Sequence, residues 1–205
     1  MDIKLNFINA SNDVNNSSVV IFQKNVATDF EEIAVAWTVI RNCGQGDNHP
    51  FTYPMESTIG YADSYGNYTP RLIANPGDLF SAVFTPSGDA IQHSGAANSV
   101  HEIQLLNALP HGAIDAMVFK DSRVLASKTS VAPQQKAVFQ FTPTIWIGVA
   151  SEVVQGEVMN SAILSALDTE ISLLGIASAD IVMTGGGPGA QSIPFEFTLQ
   201  NVMMA

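Results

Sequence analysis

Four histidines and a single cysteine are the side chains here best suited to metal or nucleophile chemistry: His49, His93, His101, His111 and Cys43. Zinc takes three or four nitrogen, thiolate or carboxylate ligands. His93 and His101 could converge on one hairpin, with Glu102 beside the second, but no His-Glu-x-x-His or comparable spacing occurs. Lone histidines are usually surface or turn residues, so no metal site is expected. His93 and Ser94 are sequence neighbours, which says nothing about geometry. The Gly-x-Ser-x-Gly elbow of serine hydrolases is absent. Cys43 precedes Gly44-Gln45-Gly46, with Arg41 and His49 close in sequence. An activated thiolate needs a positive or hydrogen-bonding environment. A lone cysteine after an apolar run is more often a small packed hydrophobe. The expected catalytic set is therefore empty, no cofactor is called for, and the chain reads as a non-enzyme.

Two loops stand out. Gly185-Gly186-Gly187-Pro188-Gly189 resembles a phosphate cradle only in composition. A phosphate loop opens a helix and ends in Gly-Lys-Ser/Thr, whereas this one runs through Ala190-Gln191-Ser192 into strand-like sequence. Glycines of that kind mark a hairpin connection. The second loop is the stretch 47–69, which gathers all four tyrosines. Asp47, Asn48, His49, Tyr61, Asp63, Tyr65, Asn67 and Tyr68 combine ring faces with amide and carboxylate groups. That is the chemistry of glycan binding, and function concentrates on loops held by rigid sheets. Asp63-Ser64-Tyr65-Gly66-Asn67 also offers oxygens to calcium without the spacing of an EF-hand loop. The competing interpretation is a long loop anchored by its own aromatics.

Charge narrows the partners. The net charge is −11, and charged residues are 13% of the chain, about half the usual share. All eight lysines and arginines precede residue 137, and the remainder carries only acids: Glu152, Glu157, Asp168, Glu170, Asp180 and Glu196. Such a surface repels phosphate backbones and anionic lipid, so no nucleic acid is expected as a partner. Lysines normally keep exposed strands apart. Their long absence suggests that the C-terminal third is covered, by the chain's own fold or by another copy. One cysteine permits no intrachain disulfide. The N-terminus lacks the pattern of a secretory signal, and no apolar run is long enough for a membrane span. Cytoplasmic residence is the default, although export without a signal remains compatible with the sequence.

The elements that must position these residues are mostly strands. Ile3, Leu5 and Phe7 alternate with polar neighbours, and Val19–Gln23 follows a polar turn, which suggests an N-terminal hairpin. Ile33–Ile40 is apolar on both faces, as in a central strand. Residues 41–70 are rich in turn formers, with a short strand near Thr58–Ala62. Asn75-Pro76-Gly77-Asp78 suits a type II turn, and Leu79–Phe84 follows as a strand. Ala113–Phe119 and Val124–Thr129 form a hairpin, and Ala137–Phe141 and Thr144–Val149 are further strands. Met159, Ala162, Ile163, Ala166, Leu167, Ile171 and Leu174 fall at helical spacing, so one short helix is placed near 160–174, at least over Asn160–Ala166, capped by Asn160 or Ser161. The competing pattern is two strands meeting near Asp168. Ile193, Phe195, Phe197 and Leu199 alternate in a clean final strand, and Pro194 favours an edge.

Short strands between Pro/Gly turns predict an antiparallel β-sandwich, jelly-roll or Ig-like, as one domain over 1–205 with no long repeat. The leading functional expectation is a structural protein that associates with itself as an oligomer, filament or inclusion, with Ile193–Leu199 completing a neighbour's sheet. The alternative is a binding module for a glycan or other small molecule, using loop 47–69. An enzyme comes third.

Overall fold

The computed structural model describes residues 2–15, 17–27, 34–167 and 169–205. They are mostly strand, arranged in four antiparallel-dominated sheets with one short helix, consistent with a β-sandwich. In chain order the first strands are β1 (Ile3–Asn9), β2 (Val19–Phe22), β3 (Thr38–Ile40), β4 (Asn48–Tyr53), β5 (Ser57–Ala62) and β6 (Leu72–Ala74). Next come β7 (Asp78–Thr85), β8 (Gly88–Ala96), β9 (Ile103–Asn107), β10 (Ile114–Lys120), β11 (Arg123–Val131) and β12 (Lys136–Phe139). After β13 (Thr144–Val149) lies helix α1 (Ser161–Ala166), followed by β14 (Thr169–Ser172), β15 (Ile176–Gly186) and β16 (Ile193–Met204).

The chain divides into two compact units. Unit 1 comprises Met1–Gln23, Ile33–Met55 and Pro143–Ala205, and unit 2 comprises Lys24–Glu32 and Glu56–Thr142. Unit 1 holds sheets of order β16-β15-β1-β4 and β14-β13-β2-β3, and unit 2 holds β8-β7-β9-β12 and β6-β5-β10-β11. The two units share one topology. Each strand of unit 1 has its counterpart eight places away along the chain, so β1 matches β9 and β13 matches β5. The single parallel pair of each unit also corresponds: β1 with β15, and β9 with β7.

The match extends to individual hydrogen bonds. Asn9 ends β1, where its buried amide donates to Cys43 O at 2.7 Å and its Oδ1 accepts from Ser11 N at 3.0 Å. Asn107 ends β9 and does the same with Val131 O at 2.8 Å and Leu109 N at 3.1 Å. Gly46 N reaches Asn9 O and Gln134 N reaches Asn107 O, both at 2.7 Å. The residues after the asparagines, Ala10 and Ala108, donate to Met183 O and Ala82 O at 2.9 and 3.0 Å. A buried amide that closes several main-chain groups at once fixes the strand end.

Two expectations change and a third narrows. The N-terminal strands are not a hairpin, because β1 and β2 enter different sheets of unit 1. The polar turn between them crosses from one sheet to the other, held by Asn12 N on Gly185 O at 2.8 Å. The run Ile33–Ile40 yields only a short strand at a sheet edge (Ile33 itself lies outside the described residues). It is apolar on both faces because Trp37 packs edge-on against Tyr53 and Phe51, while Ala34 and Ala36 join Val20, Phe22, Trp146, Val153, Met159 and Leu167. Residues 153–159 cover this edge through Ala36 N on Glu157 O and Met159 N on Ala34 O. The expected short helix is present over Ser161–Ala166, and the remainder of 160–174 follows the strand alternative. Asn160 caps the helix, its Oδ1 accepting from Ile163 N at 2.9 Å. Beyond it, buried Leu167, Ile171 and Leu173 alternate with exposed Glu170, Ser172 and Leu174, a period of two that favours β14. Asp168 lies outside the described residues.

Other sequence features hold. Gly77 has φ +97° with Asp78 N on Asn75 O, as a type II turn requires. The hairpin of β10 and β11 turns through Asp121 and Ser122, both at positive φ. A strand was missed at β4, where Pro50 disguised it. Pro50 is tolerated because β4 is an edge strand.

Candidate functional site

The stretch 47–69 is not one loop. Asp47, Asn48 and His49 lie at the start of β4 in unit 1, and Tyr61, Asp63, Tyr65, Asn67 and Tyr68 belong to unit 2. Tyr61 is a core residue of β5, with its hydroxyl donating to Ala90 O at 3.2 Å. Asp47 accepts from Gly44 N and shapes its own turn.

Within unit 2 a cleft of about 150 Å³ is lined by Asp63 and Tyr65 of the expected residues, together with Ser64, Phe84, Asp89, Leu109, Pro110, His111, Gly112 and Ala113, while Tyr61, Asn67 and Tyr68 are not part of its lining. Asp63 builds its near wall. Its Oδ1 accepts from Tyr65 N at 2.8 Å and Asn67 N at 2.9 Å, and its Oδ2 from the Asn67 amide at 2.8 Å. Those bonds, led by the Asn67 side chain, hold its pKa below 3.8. The fold thereby presents the Tyr65 ring, 90% exposed, across from Phe84, 68% exposed. Asp89 sits opposite Phe84 on the β7–β8 hairpin. The lining thus offers two ring faces, two carboxylates and an imidazole, with no lysine or arginine. The sequence gives no sign of Phe84, Asp89 and His111 here, because they come from the β7–β8 hairpin of the other unit 2 sheet and from the β9–β10 connection. Tyr68 is exposed and pairs its backbone with Ala62.

The remaining candidates resolve as follows. His93 Nε2 lies 3.2 Å from Asp78 Oδ1 at the surface, its ring edge-on to Phe80. Asp78 also accepts from Asn75 N, so this carboxylate serves a turn. Ser94 donates to Ser81 Oγ at 2.8 Å, and not to the imidazole. Among the described residues, no three His, Cys, Asp or Glu gather as a metal would require. Burial, and after it the Asp47 carboxylate, push the Cys43 thiol above its ordinary value, away from the thiolate. The triglycine segment joins β15 to β16 through a short 3₁₀ turn at Gly189–Gln191. At Gly185 (φ +89°) a Cβ would sit 2.1 Å from Pro194 O, so glycine there is a packing requirement. Beside it lies a cleft of about 430 Å³ bordered by Asn12, Asp13, Gln45 and Gln191, rich in amides and free of bases.

The strand expected to mediate assembly, with Ile193, Phe195, Phe197 and Leu199, lies at the outer edge of a unit 1 sheet. Phe197 is buried, Phe195 and Leu199 are half-buried and Ile193 is exposed. Past them, Val202, Met203 and Met204 are exposed, as is Leu174. No helix among the described residues is long and apolar enough to cross a membrane. The chain matches no protein-family model, no curated protein and no solved structure.

Proposed function

We propose that this protein is a structural, non-enzymatic one that associates with copies of itself, with unit 1 as the engaging half. One observation carries the proposal: β16 is a twelve-residue edge strand whose only charged residue is Glu196, and its end exposes three apolar side chains. Edges that must stay apart usually carry lysine or are kept short. Pro194 and the irregular register near Asn201 leave Glu196–Gln200 as the regular, pairable stretch. Light scattering after size-exclusion chromatography tests it. An assembly whose mass falls in Thr198→Lys supports it, and a clean monomer at high concentration overturns it.

The unit 2 cleft favours a second reading, a binding module for a small polar ligand such as a glycan. Exposed Tyr65 and Phe84 provide stacking faces, and Asp63 and Asp89 accept hydrogen bonds. Tyr65→Ala should abolish retention on a glycan surface without unfolding the chain. Glycan arrays without a single hit, with and without calcium, count against it.

A further inference from the structure

The two units use the same eight-strand topology but are cut differently. Unit 2 takes its strands in unbroken order, β5 to β12, and its β8 runs into β9 through residues 97–102. In unit 1 the counterparts of β8 and β9 are β16 and β1, at opposite ends of the sequence. Unit 1 is therefore closed from two separated pieces, an N-terminal one carrying β1–β4 and a C-terminal one carrying β13–β16. The first piece is also tethered to unit 2, where Val26 N donates to Gln140 O at 2.9 Å and the Asn25 amide to Val138 O at 3.0 Å. The second piece follows unit 2 through residues 140–143.

The contacts that close unit 1 run between these two pieces. They are the parallel pairing of β1 with β15, the antiparallel pairing of β2 with β13, Ala10 N on Met183 O, and residues 156–159 against Ala34 and Ala36. None depends on both pieces belonging to the same molecule. We infer that the C-terminal piece, Pro143–Ala205, exchanges between copies, each unit 1 being completed by a neighbour's β13–β16. The inference rests on the reading that copies associate, and it names the mode. Exchange keeps every closing contact, so it is disfavoured only by the tether. A short flexible linker gives an effective concentration of the order of millimolar. Exchange should thus rise as protein concentration approaches that range. An open head-to-tail series gives a filament, and a closed one gives a ring. Exchange is a separate mode from addition along the outer edge of β16, where each copy stays whole, and the two can operate together.

A staple across the seam separates the two. Lys4 and Ser178 are direct partners in the β1–β15 register, so Lys4→Cys with Ser178→Cys, in a Cys43→Ala background, places a disulfide between the pieces. Asn6→Cys with Asp180→Cys is the second pair; those side chains already touch at 3.1 Å. The full-length variants are oxidised over a concentration series, then run on denaturing gels without reductant, with native mass measured in parallel. Circular dichroism checks the fold. The expected result is a covalent ladder that grows with concentration and collapses on reduction. Native assemblies that give only monomer bands overturn the exchange but leave self-association standing. A stapled protein that is monomeric by both measures overturns both.

Discussion

Tyr53 and Tyr61 bury their phenols in different units and respond alike to alkali. Tyr53 donates to Gln23 Oε1 at 3.0 Å. Burial pushes its pKa up to about 12 against the opposing pull of that hydrogen bond. Burial, then the Asp89 and Asp63 charges, push Tyr61 to about 12 as well. An unfolded chain releases these protons near 10.0, so their stabilisation is complete below pH 10 and is lost as pH rises toward 12. Phenolate absorbance should therefore show a late phase that coincides with unfolding, and Tyr53→Phe or Tyr61→Phe should each diminish it. Full titration around pH 10 with the fold intact would contradict this. Asp78 behaves in the opposite sense. Burial would raise its pKa, but Asn75's backbone N–H and the His93 ring outweigh that and hold it below 3.8. Its stabilisation is present above that value and is lost as pH falls below it, which urea melts between neutral and acid pH would reveal. Asn107→Ala should cost about 1–3 kcal/mol, because it strands the buried Val131 carbonyl and the Leu109 N–H. Asn9→Ala should cost a similar amount, measured by the same melts.

At the scale of elements, matching positions can carry different burdens. Ile59-Gly60 in β5 and Ile147-Gly148 in β13 are counterparts. A Cβ on Gly148 would meet Leu167 Cδ2 at 2.5 Å, whereas one on Gly60 would find Thr69 Oγ1 at 3.4 Å. Gly148→Ala should thus destabilise by roughly 1–3 kcal/mol through overpacking. Gly60→Ala should cost much less, and denaturant midpoints of the pair provide the check. The sequence was readable at this scale where periodicity was unambiguous. Ile3, Leu5 and Phe7 announce a half-buried strand, and Asn75–Asp78 announces its turn. It was not readable across 159–174, where apolar residues satisfy helical spacing and strand alternation together. Nor did it show partners, because β1 pairs with a strand from the other end of the chain. The candidate cleft was half legible. Tyr65 and Asp63 carry the chemistry on their own loop, but Phe84 and Asp89 come from a different sheet of unit 2 and His111 from the β9–β10 connection, which no local pattern reveals.

For the whole molecule, the shared topology left few traces in the residues. Asn9 and Asn107, Phe22 and Phe119, and the two Ile-Gly pairs recur at unequal separations, because the connecting loops differ in length. Side chains elsewhere differ between the units, while the strand order is the same. Ala205 N bonds Gly175 O at 2.9 Å just as Ala97 N bonds Gly77 O at 2.7 Å. A rearranged chain that opens before Pro143, with residues 97–102 copied between Ala205 and Asp2, should therefore fold with the eight strands of each unit consecutive in sequence. Circular dichroism and light scattering would show a native-like monomer. Failure to fold would contradict the equivalence of the two units.

The divided unit 1 also sets an order of events during synthesis. β1–β4 leave the ribosome first, yet their partners β13–β16 emerge only after all of β5–β12 has been made. At roughly 5–20 residues per second, that leaves the early strands waiting on the order of ten seconds. Neighbouring nascent chains on one messenger present the same unpaired strands over that interval. Translation rate and messenger crowding would then help decide whether a chain closes on itself or on its neighbour.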